Sequence, residues 1–156
     1  MDYMETIDGI GLYNLLDSAA KAGGIEFTHC HPQPMVIWSR NAHGVASHIT
    51  PWNPLISNAD AMDLLDRMMD IAGSINLTLN FEHYSDLCDG KFTHKKRFVC
   101  SVPWSYRTKN WSKTPIDFSG VCVARADTGQ EATRKAITML GYCLGEKMKR
   151  DTPDKS

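Results

Sequence analysis

The 156-residue chain lacks long apolar runs and familiar catalytic motifs. No segment approaches the roughly 20 consecutive apolar residues that a membrane helix needs. No GxGxxG, P-loop or GxSxG pattern occurs. The first residues are acidic and do not have the basic and then apolar pattern of a signal peptide. We therefore expect a cytoplasmic protein without membrane contact, and we predict no catalytic residue, no metal ligand and no cofactor.

Paired cysteine motifs are also missing. The five cysteines are widely spaced and form no CxxC pair. An odd number at such spacings argues against the disulfide framework of a small secreted protein. Cys122 and Cys143 lie in apolar stretches, and we predict that both are small core residues.

Acidic residues are absent from one stretch of an otherwise acidic chain. Residues 1–90 hold three basic and twelve acidic side chains, a net charge of −9, whereas residues 91–113 hold seven basic side chains and no acidic one. The total of −1 therefore hides two regions of opposite sign. A surface with separated charges steers charged partners.

The apolar spacing predicts one domain over residues 1–150 and a disordered tail over 151–156. Helices are expected at 8–22, from Ser57 or Asn58 to 72, and from Thr128 to about 150. The apolar stripe of the second helix is expected to consist of Met62, Leu65, Met68, Met69 and Ala72. The Thr128 helix starts with a capping box, because Glu131 follows three residues later. Strands are expected at 35–38, 45–49, 75–82, 97–102 and 118–126, and residues 104–113 are expected to form a loop. The 75–82 strand alternates apolar and polar residues, so one of its faces should be buried. The fold class is α+β, an antiparallel sheet of four to six strands with helices packed on it, that is, an α/β sandwich.

Two short motifs resemble small uncharacterised proteins of tailed bacteriophages and prophages. Trp52-Asn53-Pro54 precedes an aspartate-rich helix, and Ala132-Thr133-Arg134-Lys135-Ala136-Ile137 opens the last helix. The resemblance covers roughly residues 50–148. It implies an α/β sandwich and a phage accessory protein in the bacterial cytoplasm that acts on host machinery or host defence by binding, not catalysis.

The segment from Lys91 to Lys113 is the predicted binding site, because its cations alternate with aromatic residues. Cations neutralise phosphates and aromatic faces stack on bases. The predicted partner is an anionic ligand, either a nucleic acid, a nucleotide signal or an acidic face of a host protein; the oligomeric state is left open. The predicted ligand-binding residues are Lys95, Lys96, Arg97, Trp104, Tyr106, Arg107, Lys109 and Trp111. A solvated hairpin whose aromatic residues belong to the core is the structural alternative.

Three further hypotheses compete with this one. The acidic first 90 residues could imitate nucleic acid and inhibit a protein. His29 and His31 could hold zinc in an enzyme, although their spacing is not that of common zinc motifs. Cys30 or Cys88 could pair with a histidine as a nucleophile, although no oxyanion site is evident nearby. The aspartates of the second helix, Asp60, Asp63, Asp66 and Asp70, suit a solvated face better than a magnesium site.

Overall fold

A computed structural model describes residues 11–29, 31–107 and 117–150. This part of the chain contains three helices and seven strands, and its residues form an α+β fold with antiparallel pairing, as the sequence predicts. In chain order the elements are α1 Leu12–Ala22, β1 Glu26–Thr28, β2 Met35–Arg40, β3 Ala46–Pro51, α2 Asn58–Met69, β4 Ser74–Ile75, β5 Thr78–Cys88, β6 Lys91–Arg107, β7 Asp117–Ala126 and α3 Gly129–Arg150. None of the described helices is both long and apolar enough to cross a bilayer.

The strands divide between two sheets. Strands β1, β2 and β3 form a small meander next to α1, and β6 is the centre of the second sheet, with β4 and β5 along one side and β7 along the other. Helix α3 packs on β6 and β7 and also contacts α1 and α2. The core therefore lies around α3, where Ala136, Leu140 and Leu144 are fully buried.

Both predicted helix starts near α2 and α3 are confirmed. The Ser57 hydroxyl accepts a hydrogen bond from the Asp60 amide at 3.2 Å, and the Thr128 hydroxyl accepts one from the Glu131 amide at 3.1 Å. Each side chain thus satisfies one of the amides that a helix start leaves unpaired. The Glu131 carboxylate pairs with Lys135 one turn later.

The apolar stripe predicted for α2 is partly wrong. The buried residues are Ala61, Leu64 and Met68, whereas Met62 and Met69 are exposed. The buried residues are also three and four positions apart, as on any amphipathic helix. The buried face is therefore shifted around the helix by about one residue from the predicted face. Two methionines consequently lie on the solvent side of α2.

The loop predicted to begin at Trp104 is wrong as far as Arg107, because β6 continues to that residue. Every second residue of this stretch, from Val102 to Tyr106, is buried against the core. Strand β6 tolerates Pro103 because the neighbouring strands β4 and β5 leave a gap in the hydrogen-bonded ladder opposite this residue. Asn76 donates its amide to the Pro103 carbonyl at 3.0 Å and lies between the two strands. A proline has no amide to contribute to a ladder, so it fits at this interruption.

Candidate functional site

The second sheet extends into a two-stranded arm. The last pair between β6 and β7 is Phe98 with Ala126, whereas the pairs between β5 and β6 continue to Cys88 with Lys91. Seven residues of β6 therefore lie beyond β7, a length of roughly 23 Å at 3.3 Å per residue. A turn at Asp89-Gly90 closes the arm with positive φ angles of 52° and 74°, as a tight two-residue hairpin requires. We call residues 81–98 the arm.

One face of the arm is apolar at both ends and basic between them. Directly opposed residues of an antiparallel pair share a face, so the register places eight side chains together. This arm face consists of Phe81, His83, Ser85, Leu87, Phe92, His94, Lys96 and Phe98. It contains no carboxylate, because the acidic residues of the arm occupy other positions.

The apolar residues of the arm face are open to solvent. Phe92 is 73% exposed, Leu87 61% and Phe81 59%. Leu87 and Phe92 together expose roughly 270 Å² at the tip of the arm if a large side chain offers on the order of 200 Å², and Phe81 exposes roughly 120 Å² at the other end of the face. Exposed apolar surface that clusters in this way on a monomer is often functional. The buried face that the alternation of residues 75–82 predicts is therefore wrong, because Leu77, Leu79 and Phe81 are all exposed.

Lys96 is the cation of the arm face, and it contacts aromatic rings. Its ammonium group lies 5.4 Å from the centroid of Phe81 and 5.8 Å from that of Phe98. Both distances fall in the range of a cation–π contact. The lysine stem thus lies along the rings while its charge stays at the surface.

Lys95 and Arg97 lie on the opposite face of the arm, where carboxylates neutralise them. Lys95 lies 3.3 Å from Asp86, and Arg97 lies 2.5 Å from Glu82. Arg125 of β7 reaches the same Glu82 carboxylate at 3.1 Å. The hydrogen bond from Arg97, followed by that from Arg125, lowers the pKa of Glu82. Two cations of the acid-free segment, Lys95 and Arg97, are therefore paired with acids from the preceding strand.

Two predicted ligand-binding aromatic residues belong to the core. Trp104 is 7% exposed and Tyr106 is 4% exposed, and both are part of the main cluster around α3. Neither ring can stack on a base from solvent, so the prediction for these residues is wrong. Gly120 on β7 shows how closely Trp104 is packed, because a Cβ atom built there would lie 2.9 Å from the indole ring.

Arg107, another predicted site residue, lies far from the arm. Arg107 ends β6, ten residues after Arg97, and ten residues of strand span roughly 33 Å. Lys109 and Trp111 lie outside the described residues. Among the predicted site residues that the structure describes, only Lys95, Lys96 and Arg97 lie together, and they lie on two opposite faces.

An apolar groove of about 440 Å³ lies at the base of the arm, between α2 and α3. Met62 and Ile137 line it from the two helices, and Leu79 lines it from β5. Arg134 at its rim donates to the Leu55 carbonyl at 2.9 Å and to the Asn58 side chain at 2.7 Å. The groove thus continues the apolar surface of the arm onto the body of the protein.

The histidine metal site and the cysteine–histidine pair find limited support in the structure. The Nε2 atom of His29 lies 3.7 Å from the Asp17 carboxylate, and the His29 ring packs edge-on against Phe27. Cys30 lies outside the described residues, so a pairing with histidine there is not described. Within the described ranges no three histidine, cysteine or acidic side chains cluster as metal ligands would.

The acidic first half of the chain is partly neutralised by its own cations. Glu26 pairs with Arg40, which lowers the pKa of Glu26 chiefly through a hydrogen bond, and Asp63 pairs with Arg67 at 2.9 Å. Asp60 accepts a hydrogen bond from the Asn53 amide at 2.9 Å. These carboxylates have structural partners, so they offer less free charge than the sequence count indicates.

Comparison with known proteins adds no assignment. No protein-family model, no curated protein and no solved structure matches the chain. No enzyme family is therefore detected. The candidate site depends on the geometry of the chain alone.

Proposed function

We propose that this chain is a non-catalytic binding protein whose contact surface is the arm face, and that its partner is a protein with an acidic and apolar surface. The observation that carries the proposal is the exposure of Phe81, Leu87 and Phe92 on one face of an arm that extends beyond β7. The sequence resemblance supports a phage accessory protein that acts on a host protein in the bacterial cytoplasm.

The chemistry of the arm face favours a protein partner over a polyanion. Aromatic residues and methionine are enriched at protein interfaces, and a few buried aromatic anchors contribute most of the affinity. Phe92 and Leu87 oppose each other across the turn and so present a compact apolar tip. A phosphate backbone, in contrast, requires free cations in large number, and Lys95 and Arg97 are already paired.

The partner should be acidic because every ionisable group on the arm face is basic. Lys96 contacts two aromatic rings, His83 lies directly opposite it on β5, and His94 lies two residues before it on β6. A carboxylate brought against Lys96 meets no repulsion there. Such complementarity mainly sets specificity and the association rate. The exposed Met62 and Met69 on the aspartate-bearing helix α2 give the chain itself a surface of this kind, so self-association must be measured in parallel.

The test compares variants of the two arm faces. The full-length chain is used to capture partners from bacterial host lysate, and the affinity for each purified partner is then measured by calorimetry. We expect Leu87→Ser/Phe92→Ser to weaken binding by about 2 kcal/mol or more, which is roughly 30-fold. Lys96→Ala should weaken it less, and Lys95→Ala/Arg97→Ala, the matched control on the opposite face, should bind like wild type.

A polyanion would give the reverse pattern. Its affinity would fall steeply with salt, and the Lys95→Ala/Arg97→Ala variant would lose affinity and show a shallower salt slope. Light scattering of the wild-type chain identifies a partner that is a second copy. If every variant binds its partner like wild type, the arm face is not the contact surface. The acidic helix α2 then becomes the candidate, as the inhibitor hypothesis predicts.

A further inference from the structure

Two cysteine thiols lie together between α3 and the second sheet. Cys122 on β7 donates its thiol hydrogen toward Cys143 on α3, and the two Sγ atoms are 3.9 Å apart. Cys122 is buried, whereas Cys143 is half-buried. The register places Cys122 opposite Val102, in the part of the sheet that α3 covers.

Cys143 opens onto a second groove. This groove has a volume of about 350 Å³ and is also lined by Lys147, Arg150 and Glu146. The Glu146 carboxylate is held by the Ser18 hydroxyl at 2.6 Å and by Lys149 at 3.2 Å. The Lys147 ammonium lies 4.2 Å from the Phe118 ring centroid, on the groove wall. A small anionic molecule is therefore attracted to the side from which Cys143 is accessible.

We propose that Cys122 and Cys143 form a dithiol modification site that reacts with a small anionic disulfide, such as glutathione disulfide, and closes to an intramolecular disulfide. Two observations carry the proposal: the proximity of the two Sγ atoms and the groove that opens onto only the half-buried one. Reactive cysteines typically occupy partly exposed positions with a positive charge nearby.

The reaction proceeds by two thiol–disulfide exchanges. Cys143 gives its proton to solvent and attacks one sulfur of the small disulfide, so a mixed disulfide forms and one small thiolate leaves and takes up a proton. Cys122 then loses its proton and attacks the Cys143 sulfur, and the second small thiolate leaves in the same way. Two protein thiols are oxidised, and one small disulfide is reduced to two thiols.

The order of the two steps follows from the surroundings of each thiol. The hydrogen bond from Cys122, together with the charge of Lys147, lowers the pKa of Cys143. The same contact, followed by burial, raises the pKa of Cys122. Once Cys143 is in a mixed disulfide it no longer carries the negative charge that holds the Cys122 proton. The resolving step can therefore follow the first.

The experiment uses the full-length chain with the substitutions Cys30→Ser and Cys88→Ser. They remove the exposed Cys88 and also Cys30, which lies outside the described residues. After incubation with glutathione disulfide, intact-mass and peptide mapping should find a Cys122–Cys143 link and a chain lighter by two hydrogens. Adding Cys122→Ser should stop the reaction at a stable glutathione adduct on Cys143. Adding Cys143→Ser should leave Cys122 unmodified.

Two results would overturn the proposal: a persistent glutathione adduct on Cys143 when Cys122 is present, or no modification of Cys143 at all. Circular dichroism checks the fold of each variant, and Cys122→Ala replaces Cys122→Ser if the buried hydroxyl is not tolerated. The peptide map of the parent chain decides the question even if both variants unfold.

Discussion

The contact between α1 and α3 offers a sharp test of the fold, because Gly145 lies against the backbone of α1. A Cβ atom built at Gly145 would be 1.9 Å from the Ser18 carbonyl oxygen and 2.6 Å from its carbonyl carbon. The alanine methyl group therefore cannot fit unless the two helices move apart by more than about 1 Å, since non-bonded carbon atoms sit at about 3.5–4.0 Å. Leu15, Leu16 and Ala19 of α1 are fully buried, so such a shift would open gaps in the core.

The net effect of Gly145→Ala is a balance of two opposing contributions. Replacing glycine by alanine inside a helix ordinarily stabilises it by about 1 kcal/mol. Overpacking a well-filled core costs about 1–3 kcal/mol and occasionally more. Because the obstacle is backbone and not a flexible side chain, we expect the cost to exceed the gain. The free energy of unfolding should fall by about 2 kcal/mol, which for a chain of this size lowers Tm by about 4–8 °C.

Urea denaturation followed by circular dichroism measures this change, with Gly129→Ala as the matched control. The Cβ atom at Gly129, in the first turn of the same helix, meets the end of the Leu79 side chain at 3.0 Å, and that side chain is able to rotate away. The control should therefore be neutral or slightly stabilising. An equal or higher stability for Gly145→Ala would show that α1 does not lie against α3 at Ser18.

Three further predictions concern caps, pH and metal. Thr128→Ala removes the acceptor for the Glu131 amide, so the free energy of unfolding should fall by about 0.5–2 kcal/mol in denaturant melts; no change would place the helix start elsewhere. Glu82 has a lowered pKa in the folded chain, so its stabilising effect should be complete above its unfolded pKa and be lost as pH falls through the folded value. Glu82→Gln should accordingly flatten the acid side of a Tm-against-pH curve, and an unchanged curve would contradict the Arg97–Glu82 pair. Elemental analysis of the purified protein should find no stoichiometric zinc, and about one zinc per chain, lost in His29→Ala/His31→Ala, would favour the metal-enzyme hypothesis.

Local features of the fold were predictable because they depend on neighbouring residues. The caps at Ser57 and Thr128 are set by side chains that bond to amides three residues later. The Asp89-Gly90 turn is equally local, because only two residues must adopt positive φ angles. The extension of β6 to Arg107 was signalled by the alternation of Val102, Trp104 and Tyr106. The polar residues between these aromatic side chains favoured a loop instead, and Pro103 fits the strand only because of its position opposite Asn76.

The candidate site was less predictable because it depends on pairing between strands. In the sequence, Lys95 and Arg97 belong to a segment without acids, yet the register of β5 brings Asp86 and Glu82 to them. The apolar tip, in contrast, left a detectable signal. A two-residue turn places Leu87 and Phe92 opposite each other, so two large apolar residues flanking Asp89-Gly90 indicate an apolar hairpin end.

The exposed apolar side chains of the arm face contribute little to the stability of the fold. An apolar side chain contributes to folding through the area that it removes from water, and Phe92 at 73% exposure removes little. Leu87 opposite it and Phe81 at the other end of the arm face likewise contribute little to the core, which is centred on α3. A hairpin whose outer strand edges are open and which exposes large apolar side chains favours aggregation. The proposed partner would cover this surface, which adds little stability and carries this liability. On the reverse face Lys95 and Arg97 are paired with Asp86 and Glu82, so that face offers a partner less free charge than the sequence count indicates.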